Sequence, residues 1–252
     1  EQYDTYSVDR LTLIGDLHNE LEDPRFLELY YQPLVGLVSG EVVAVEALLR
    51  WNHPLMGFIS PEEIISMAEC TGLIGPLTYW VLYTAIEGSA EFQDSSSDFS
   101  ISINLSAWNL QDPQLPSDIQ SILDAHQYDA DRLTLEITES AMMNDPVRAR
   151  EVMDKLNDMG VELAIDDFGT GFSSLGYLKM LPVSCLKIDK SFVIDMLKDE
   201  NDAIIVQSTI NLAHNLGLKV VAEGVENQEI AVRLRHRGCD VAQGYHIARP
   251  LK

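Results

Sequence analysis

The sequence predicts an α/β fold, a modified TIM (β/α)8 barrel with one antiparallel strand. The chain has 252 residues, and a single-domain α/β barrel typically has ~200–250. Short β-branched apolar runs alternate with segments of helical periodicity, which indicates a parallel sheet. The first two runs, however, are joined by a short turn at residues 38–40, and a parallel crossover needs about a dozen residues or more. These two strands are therefore expected to be antiparallel.

Eight segments are predicted to be strands of this barrel. In chain order they are FLELYYQPLVGL (26–37), EVVAVEALLRW (41–51), FSISINLS (99–106), RLTLEITES (132–140), VELAIDDF (161–168), VSCLKIDK (183–190), LKVVAEGVE (218–226) and CDVAQGYHI (239–247). Helices are expected between them. Ser60 with Pro61 and Glu63 forms a capping box, and Asp145 with Pro146 marks another helix start.

The first residues are predicted to lie outside the barrel proper. Residues 8–23, VDRLTLIGDLHNELED, have helical spacing and precede the first strand. We expect residues 1–22 to be an entry helix or a linker from an upstream regulatory domain, and residues 23–252 to form the barrel. The chain starts without an initiator Met or a signal-like segment, so we interpret it as a fragment of a longer protein.

Composition excludes several classes of partner. The chain has 40 acidic residues against 17 Lys and Arg, a formal net charge of −23. Nucleic-acid polymers and anionic membranes both require basic surfaces, so neither is expected to bind this domain. The three cysteines have no metal-binding spacing and are typical of reduced thiols in a cytoplasmic protein. No apolar run reaches the ~18 residues of a membrane span, although a missing region could anchor a longer protein.

Polar residues are concentrated at the ends of the predicted strands. They are Glu46, Asn104, Glu136, Asp166, Asp167, Lys187, Asp189, Glu223 and Gln243. The C-terminal strand ends of such barrels form the active-site face. Clustered carboxylates raise one another's pKa and need a counter-charge. Because the donors are oxygen atoms with no His or Cys among them, the pattern predicts Mg²⁺ or Mn²⁺.

The motifs that carry these residues resemble those of one family. VEALLRW, SINLS, LEITES, DDFGTGFSSL, LKID, VAEGVE and QGYHIARPL, in this order, resemble the EAL-domain family of cyclic di-GMP phosphodiesterases. With YYQPL included, the resemblance extends from about Phe26 to Leu251. It implies a modified (β/α)8 barrel with one antiparallel strand. It also implies metal-dependent hydrolysis of one phosphodiester bond of cyclic di-GMP, which gives linear pGpG.

The resemblance also implies roles for individual residues. The ligands of a first metal ion would be Glu46, Asn104, Glu136 and Asp166. Asp166 would bridge to a second ion that Asp167 also binds. Glu223 would be either a water-mediated ligand or the general base, and Lys187 would orient the attacking water and stabilise charge at the phosphate.

Further residues are expected to support this site. The resemblance implies a substrate-binding group of Gln32, Arg50, Asp189 and Gln243. Glu139 and Glu226 are expected to support the loop that follows Asp167 or to fix neighbouring side chains. In the family this loop couples the active site to dimerisation, so the resemblance implies a homodimer formed through it.

Alternatives remain open at this point. The chain could be a catalytically inactive EAL domain that binds cyclic di-GMP as a sensor or regulator, or a different metal-dependent barrel hydrolase acting on a phosphate ester. Single residues also have simpler interpretations: Lys187 as a surface lysine, Asn104 as a turn former, and His53 as a surface or loop residue. No ligand position that the resemblance implies is missing, which favours an active enzyme.

Overall fold

The computed structural model describes residues 2–89, 99–142, 145–170 and 175–252, without the side chains of residues 2–8 and 175. The strands are β1 (Leu27–Gly36), β2 (Val42–His53), β3 (Gly57–Ile59), β4 (Ser100–Leu105), β5 (Leu133–Thr138), β6 (Glu162–Phe168), β7 (Cys185–Ile188), β8 (Lys219–Ala222) and β9 (Val241–Gln243). The helices are α1 (Gln2–Glu22), α2 (Pro61–Thr71), α3 (Ile74–Ser89), α4 (Leu115–His126), α5 (Glu139–Met142), α6 (Pro146–Asp158), α7 (Leu175–Leu178), α8 (Lys190–Asp195), α9 (Glu200–Asn215) and α10 (Gln228–His236).

The strands close into a barrel with one reversed member. The order is β1-β9-β8-β7-β6-β5-β4-β2, and β2 pairs with β1 to complete the ring. β1 is antiparallel to both of its neighbours, whereas the other barrel pairs are parallel. The modified (β/α)8 barrel is therefore confirmed. β3 is an addition that the sequence did not predict, a three-residue strand antiparallel to the end of β2.

The barrel strands are buried as their parallel pairing requires. The first five residues of β5 are buried without alternation, because helices cover one face and the barrel interior covers the other. The predicted helix starts are also confirmed. The Ser60 side chain accepts a hydrogen bond from the Glu63 N–H, and the Asp145 side chain accepts one from the Arg148 N–H. These caps fix the residues at which α2 and α6 begin.

Helix α1 packs onto the barrel near the start of β1. Leu13 and Leu17 are buried in a cluster with Trp51. The Glu20 Oε2 atom accepts the N–H groups of three successive residues, 25 to 27, at 2.8, 2.9 and 3.1 Å. This carboxylate therefore fixes the turn between α1 and β1. The division of the chain at residue 22 remains a prediction.

A histidine expected at the surface is part of the same contact. His53 is buried, and its Nε2 lies 3.0 Å from Asp16 Oδ2. Its Nδ1 accepts the N–H groups of Leu55 and Met56, so the proton is on Nε2 and is donated to Asp16. The surface interpretation of His53 was wrong because β2 extends into the β3 hairpin, which brings the ring beneath α1.

Replacing Glu20 with alanine should lower the free energy of unfolding by about 2–3 kcal/mol, since hydrogen bonds to a charged group contribute about 1.5–3 kcal/mol. The measurement is chemical denaturation at neutral pH. Glu22→Ala is the matched control, because Glu22 is on the same helix with its side chain 73% exposed. Equal stability of the two variants would contradict a structural role for the Glu20 contacts.

Two expectations extend beyond the described residues. The homodimer predicted through the loop after Asp167 depends on residues 171–174, which lie outside them. The other concerns membrane attachment. Among the described residues, no helix is both long and apolar enough to span a bilayer.

Candidate metal centre

The site lies where the parallel strands end, and register explains how the residues meet. Asn104 pairs with Glu136 across β4 and β5, and Asp166 pairs with Thr138 of the neighbouring strand. Glu46 is in the middle of β2, but β2 pairs with β4 only as far as Ala47. Beyond Ala47, β2 continues but pairs only with the antiparallel strands β1 and β3. Glu46 therefore lies near the end of the parallel pairing, as the other residues of the site do.

Lys187 is at the centre of this site. Its side chain is 1% exposed, and its Nζ contacts Glu136 Oε2 directly. The same Nζ lies 2.6 Å from Glu223 Oε1, 3.5 Å from Glu46 Oε2 and 3.5 Å from Asp166 Oδ1. The interpretation of Lys187 as a surface lysine was therefore wrong. The single ammonium group of Lys187 thus forms ion pairs with four carboxylates.

The charges in this cluster shift one another's pKa strongly. Burial alone would lower the pKa of Lys187, but the charges of Glu136, Glu223 and Glu46 outweigh it and hold this pKa well above its ordinary value. Burial and the charge of Glu46 hold the pKa of Glu136 well above its usual range. The positive charge of one lysine therefore does not balance the negative charge of the carboxylates around it.

The two adjacent aspartates both face the site because of a backbone irregularity. Successive side chains of a strand normally point to opposite faces. Here the β6–β7 register shifts between Ile165 and Phe168, and Asp167 has a left-handed φ of 53°. Such a bulge redirects a side chain, and Asp tolerates this conformation better than most residues. As a result, carboxylate oxygens of Asp166, Asp167 and Glu223 all lie within 4.8 Å of one another.

This second cluster is also short of positive charge. Burial and the charges of Asp166 and Asp189 raise the pKa of Asp167 to about 6. Burial and the charges of Asp166 and Glu46 raise the pKa of Glu223 to about 7, against the opposing effect of Lys187. The single ammonium of Lys187 therefore does not offset the repulsion between these closely spaced carboxylates.

The residues fit a hard divalent cation. Asp166 Oδ1 is buried and has no hydrogen-bond partner among the described residues, although it lies 3.5 Å from the Lys187 ammonium. The surrounding donors are carboxylate and amide oxygens, which suit Mg²⁺ or Mn²⁺. An unpaired buried carboxylate oxygen is costly unless a cation or a donor accompanies it. The donor set therefore supports a divalent-metal centre.

Two amides orient Glu46. Asn104 Nδ2 donates to Glu46 Oε1 at 2.7 Å, and Gln243 Nε2 donates to Glu46 Oε2 at 2.6 Å. Burial alone would raise the pKa of Glu46, but the charge of Lys187 and these two hydrogen bonds lower it below its ordinary value. Glu46 is therefore held as a carboxylate. Because Asn104 donates through its nitrogen, its amide oxygen remains available as a ligand.

A pocket of about 540 Å³ adjoins the metal centre. Asn104, Asp166 and Asp167 line it on one side, and α2 and α3 supply an apolar wall on the other. Arg50 also lines it, with its guanidinium 5.9 Å from the centre of the Tyr30 ring. The volume lies in the usual range of ~300–1,000 Å³ for small-molecule sites.

Glu69 and Ser106 are two of the polar pocket residues that were not predicted from the sequence. Glu69 is on α2 and Ser106 follows β4, and Ser106 Oγ donates to Glu69 Oε1 at 2.5 Å. Glu69 is on a helix and carries no strand-end signal. The Ser106 position could have been found, because it directly follows Asn104 and Leu105 at the end of the strand.

The remaining expected residues have different surroundings. Asp189 is the N-cap of α8 and accepts the Ser191 N–H, while Gln32 is buried beside Gln243. Glu139 is buried, and neither carboxylate oxygen has a hydrogen-bond partner within the part of the chain that the structure describes. Glu226 is exposed. The structure thus brings most of the expected residues together, and Glu226 remains at the surface.

The fold and the site define a class: a modified (β/α)8 barrel with a carboxylate-rich centre at the C-terminal ends of its strands. Residues 15–250 match the family model of the EAL domain. The chain belongs to the EAL domain family.

Relatives with known names support this membership. The chain is 41% identical over 244 residues to the bifunctional diguanylate cyclase/cyclic di-GMP phosphodiesterase MucR of Pseudomonas aeruginosa, covering 96% of the chain and 36% of that protein. It is 39% identical over 246 residues to the cyclic di-GMP phosphodiesterase NbdA of the same organism, covering 97% of the chain and 31% of that protein. The chain thus spans about a third of the length of these curated relatives.

Solved structures agree with the fold. The Pseudomonas aeruginosa MucR phosphodiesterase in complex with c-di-GMP has a TM-score of 0.88 at 39% identity, covering 95% of this chain and 97% of that one. The FimX EAL domain of Pseudomonas aeruginosa bound to c-di-GMP has a TM-score of 0.86 at 27% identity, covering 94% and 96%. Both similarities extend over nearly the whole barrel.

Proposed function

We propose that this chain is a phosphodiesterase that hydrolyses one phosphodiester bond of cyclic di-GMP to linear pGpG with the help of Mg²⁺ or Mn²⁺. The observation that carries the proposal is the cluster of acids around Lys187, which lies beside a pocket of about 540 Å³. Within this cluster, the buried Oδ1 atom of Asp166 has no hydrogen-bond partner among the described residues. Relatives at 39–41% identity are named as cyclic di-GMP phosphodiesterases. These findings support both the chemistry and the substrate.

The expected ligands divide between two metal positions. Glu46, Asn104, Glu136 and Asp166 would hold a first cation. Asp166 and Asp167 would hold a second, with Glu223 beside it. When bound, such cations supply charge at the phosphate and lower the pKa of water.

Lys187 and Glu223 have complementary tasks in this proposal. Lys187 carries a buried positive charge with three N–H donors, which suits it to orient a water and to donate to an anionic phosphate oxygen. The Glu223 side chain is 18% exposed, against 1% for Glu136 and 7% for Glu46. Glu223 is the carboxylate most open to solvent among the four that contact Lys187. We therefore propose that Glu223 accepts the proton of the attacking water.

Substrate binding rests on the pocket wall. Arg50 lines the pocket and can contact a phosphate or a guanine edge with its fork of donors. Asp189 remains a proposed contact, although its carboxylate already caps α8. Gln243 remains a proposed contact, whereas the hydrogen bonds of Gln32 to Gln243 and to the Ala248 carbonyl indicate a different role for Gln32.

The proposal also concerns the whole protein. Relatives about three times as long as this chain support an upstream regulatory domain, and α1 would connect to it. A homodimer through the loop after Asp167 and a cytoplasmic location are part of the same proposal. No ligand position is missing, so an inactive sensor is not favoured.

The test is to incubate the chain with cyclic di-GMP and either Mg²⁺ or Mn²⁺ and to separate the products chromatographically. We expect pGpG, and we expect a chelator to stop its formation. Tight binding without turnover would instead support the sensor. A chain that neither binds nor cleaves cyclic di-GMP would support a hydrolase of another phosphate ester.

A further inference from the structure

A buried chain of hydrogen bonds leads away from Glu46 to the C-terminal end of the protein. Gln32 lies directly opposite Glu46 in the β1–β2 ladder. Gln243 Nε2 donates both to Glu46 Oε2 at 2.6 Å and to Gln32 Oε1 at 3.2 Å. Gln32 Nε2 then donates to the carbonyl oxygen of Ala248 at 3.0 Å. Glu46 is thus connected through two buried amides to a backbone carbonyl 202 positions later in the sequence.

The acceptors at both ends fix the direction of this chain of hydrogen bonds. A carboxylate and a backbone carbonyl can only accept hydrogen bonds. Gln243 must therefore present its NH₂ group to Glu46, and Gln32 must present its NH₂ group to Ala248. The Gln32 carbonyl is then left to accept from Gln243, as observed. Each amide has one orientation that satisfies both of its neighbours.

The segment that carries Ala248 is itself firmly attached. Tyr31 and Leu251 exchange backbone hydrogen bonds of 2.6 and 2.9 Å. The N–H of Val225 donates to the carbonyl of Gln243 at 3.0 Å. A Cβ on Gly244 would lie 2.3 Å from the Val225 nitrogen, so only glycine permits this approach. The segment that contains Ala248 is therefore held against the barrel on both sides, by the Gln243–Val225 contact before it and the Leu251–Tyr31 contact after it.

Both polar atoms of the Gln32 side chain have hydrogen-bond partners within the protein. Its Oε1 accepts a hydrogen bond from Gln243, and its Nε2 donates one to the Ala248 carbonyl. Gln243 differs, because its Oε1 is buried without a hydrogen-bond partner among the described residues. Gln32 thus acts on the site through Gln243.

We propose that Gln32 is a positioning residue, which holds the Gln243 amide against Glu46 and so orients this carboxylate for cation binding. The inference rests on the proposed function only in taking Glu46 as a metal ligand. Hydrogen bonds behind metal ligands typically change metal affinity 10–100-fold. The C-terminal segment, residues 244–251, is the anchor of this arrangement.

The test is Gln32→Met, which preserves the approximate volume of the side chain and removes both hydrogen bonds. Mn²⁺ affinity is measured by calorimetry without substrate, and we expect it to weaken about 10-fold or more. At saturating Mn²⁺ the KM for cyclic di-GMP should be unchanged. Gln207→Met is the matched control, because Gln207 on α9 makes comparable hydrogen bonds of 3.1 and 3.3 Å with Arg237, which follows α10. It should leave Mn²⁺ affinity unchanged.

Gln32→Asn provides a second variant if the methionine does not fold. It keeps the polarity but is one methylene shorter, so it cannot span from Gln243 to Ala248, and it should also weaken Mn²⁺ binding. Unchanged Mn²⁺ affinity in a folded Gln32 variant would overturn the positioning role, and a raised KM with that result would make Gln32 a substrate contact. A wild-type chain that binds Mn²⁺ but leaves cyclic di-GMP intact would overturn the proposed function alone.

Discussion

Replacing Lys187 with methionine should destabilise the metal-free protein by about 3–5 kcal/mol and lower turnover at least ~100-fold. The stability loss follows from burial, because the ammonium is 1% exposed and contacts four carboxylates. Without it, these carboxylates keep their mutual repulsion and lose their only cation within the described part of the site. The pKa of Lys187 is held well above its ordinary value, so this stabilisation is fully present at neutral pH and is lost only as the pH rises through that raised value.

Divalent cations should partly reverse the destabilisation. We expect Mn²⁺ to raise the unfolding free energy of Lys187→Met by more than that of the wild type, because the metal replaces the missing charge. The measurements are chemical denaturation in chelator and in Mn²⁺, together with product formation. Lys198→Met is the control, since that lysine is 80% exposed and pairs with Asp195 at the surface. Equal stability of both variants in chelator would show that Lys187 does not neutralise the cluster.

The sequence predicts the barrel well because the signals for it are local. Apolar runs with polar residues at their ends determine where strands finish, and the short turn at residues 38–40 determines that β1 and β2 are antiparallel. Hence Glu46, Asn104 and Glu136, the expected ligands, could be placed from the sequence at one end of the barrel. β3 was missed because three residues are too few to show a period.

The site's electrostatics could not be predicted in the same way. The burial of Lys187 depends on four acids that come from four different strands or strand ends, and no local pattern encodes it. Two adjacent aspartates normally face opposite sides of a strand, and only the irregularity at Asp166 and Asp167 brings both to the site. Glu69 reaches the pocket from a helix, where a glutamate usually indicates nothing more than a solvated face.

Replacing Asp166 with asparagine should weaken Mn²⁺ binding at least ~100-fold and remove measurable turnover, while making the metal-free protein slightly more stable. The first effect follows from the Oδ1 atom, which is buried without a hydrogen-bond partner among the described residues and which we expect to be a bridging ligand. The second follows from repulsion, because the substitution removes one of the carboxylates that raise the pKa of Asp167 to about 6 and of Glu223 to about 7. Lys187 keeps three carboxylate partners in this variant.

Asp167→Asn is the matched comparison, one residue away in the chain. If Asp166 bridges two cations and Asp167 holds only one, calorimetry should show both Mn²⁺ binding events weakened in Asp166→Asn and one of them retained in Asp167→Asn. Denaturation in chelator completes the measurement. Identical metal titrations for the two variants would contradict the bridging role. Because both substitutions remove one negative charge from the same cluster, a difference between them reports on coordination and cannot come from net charge.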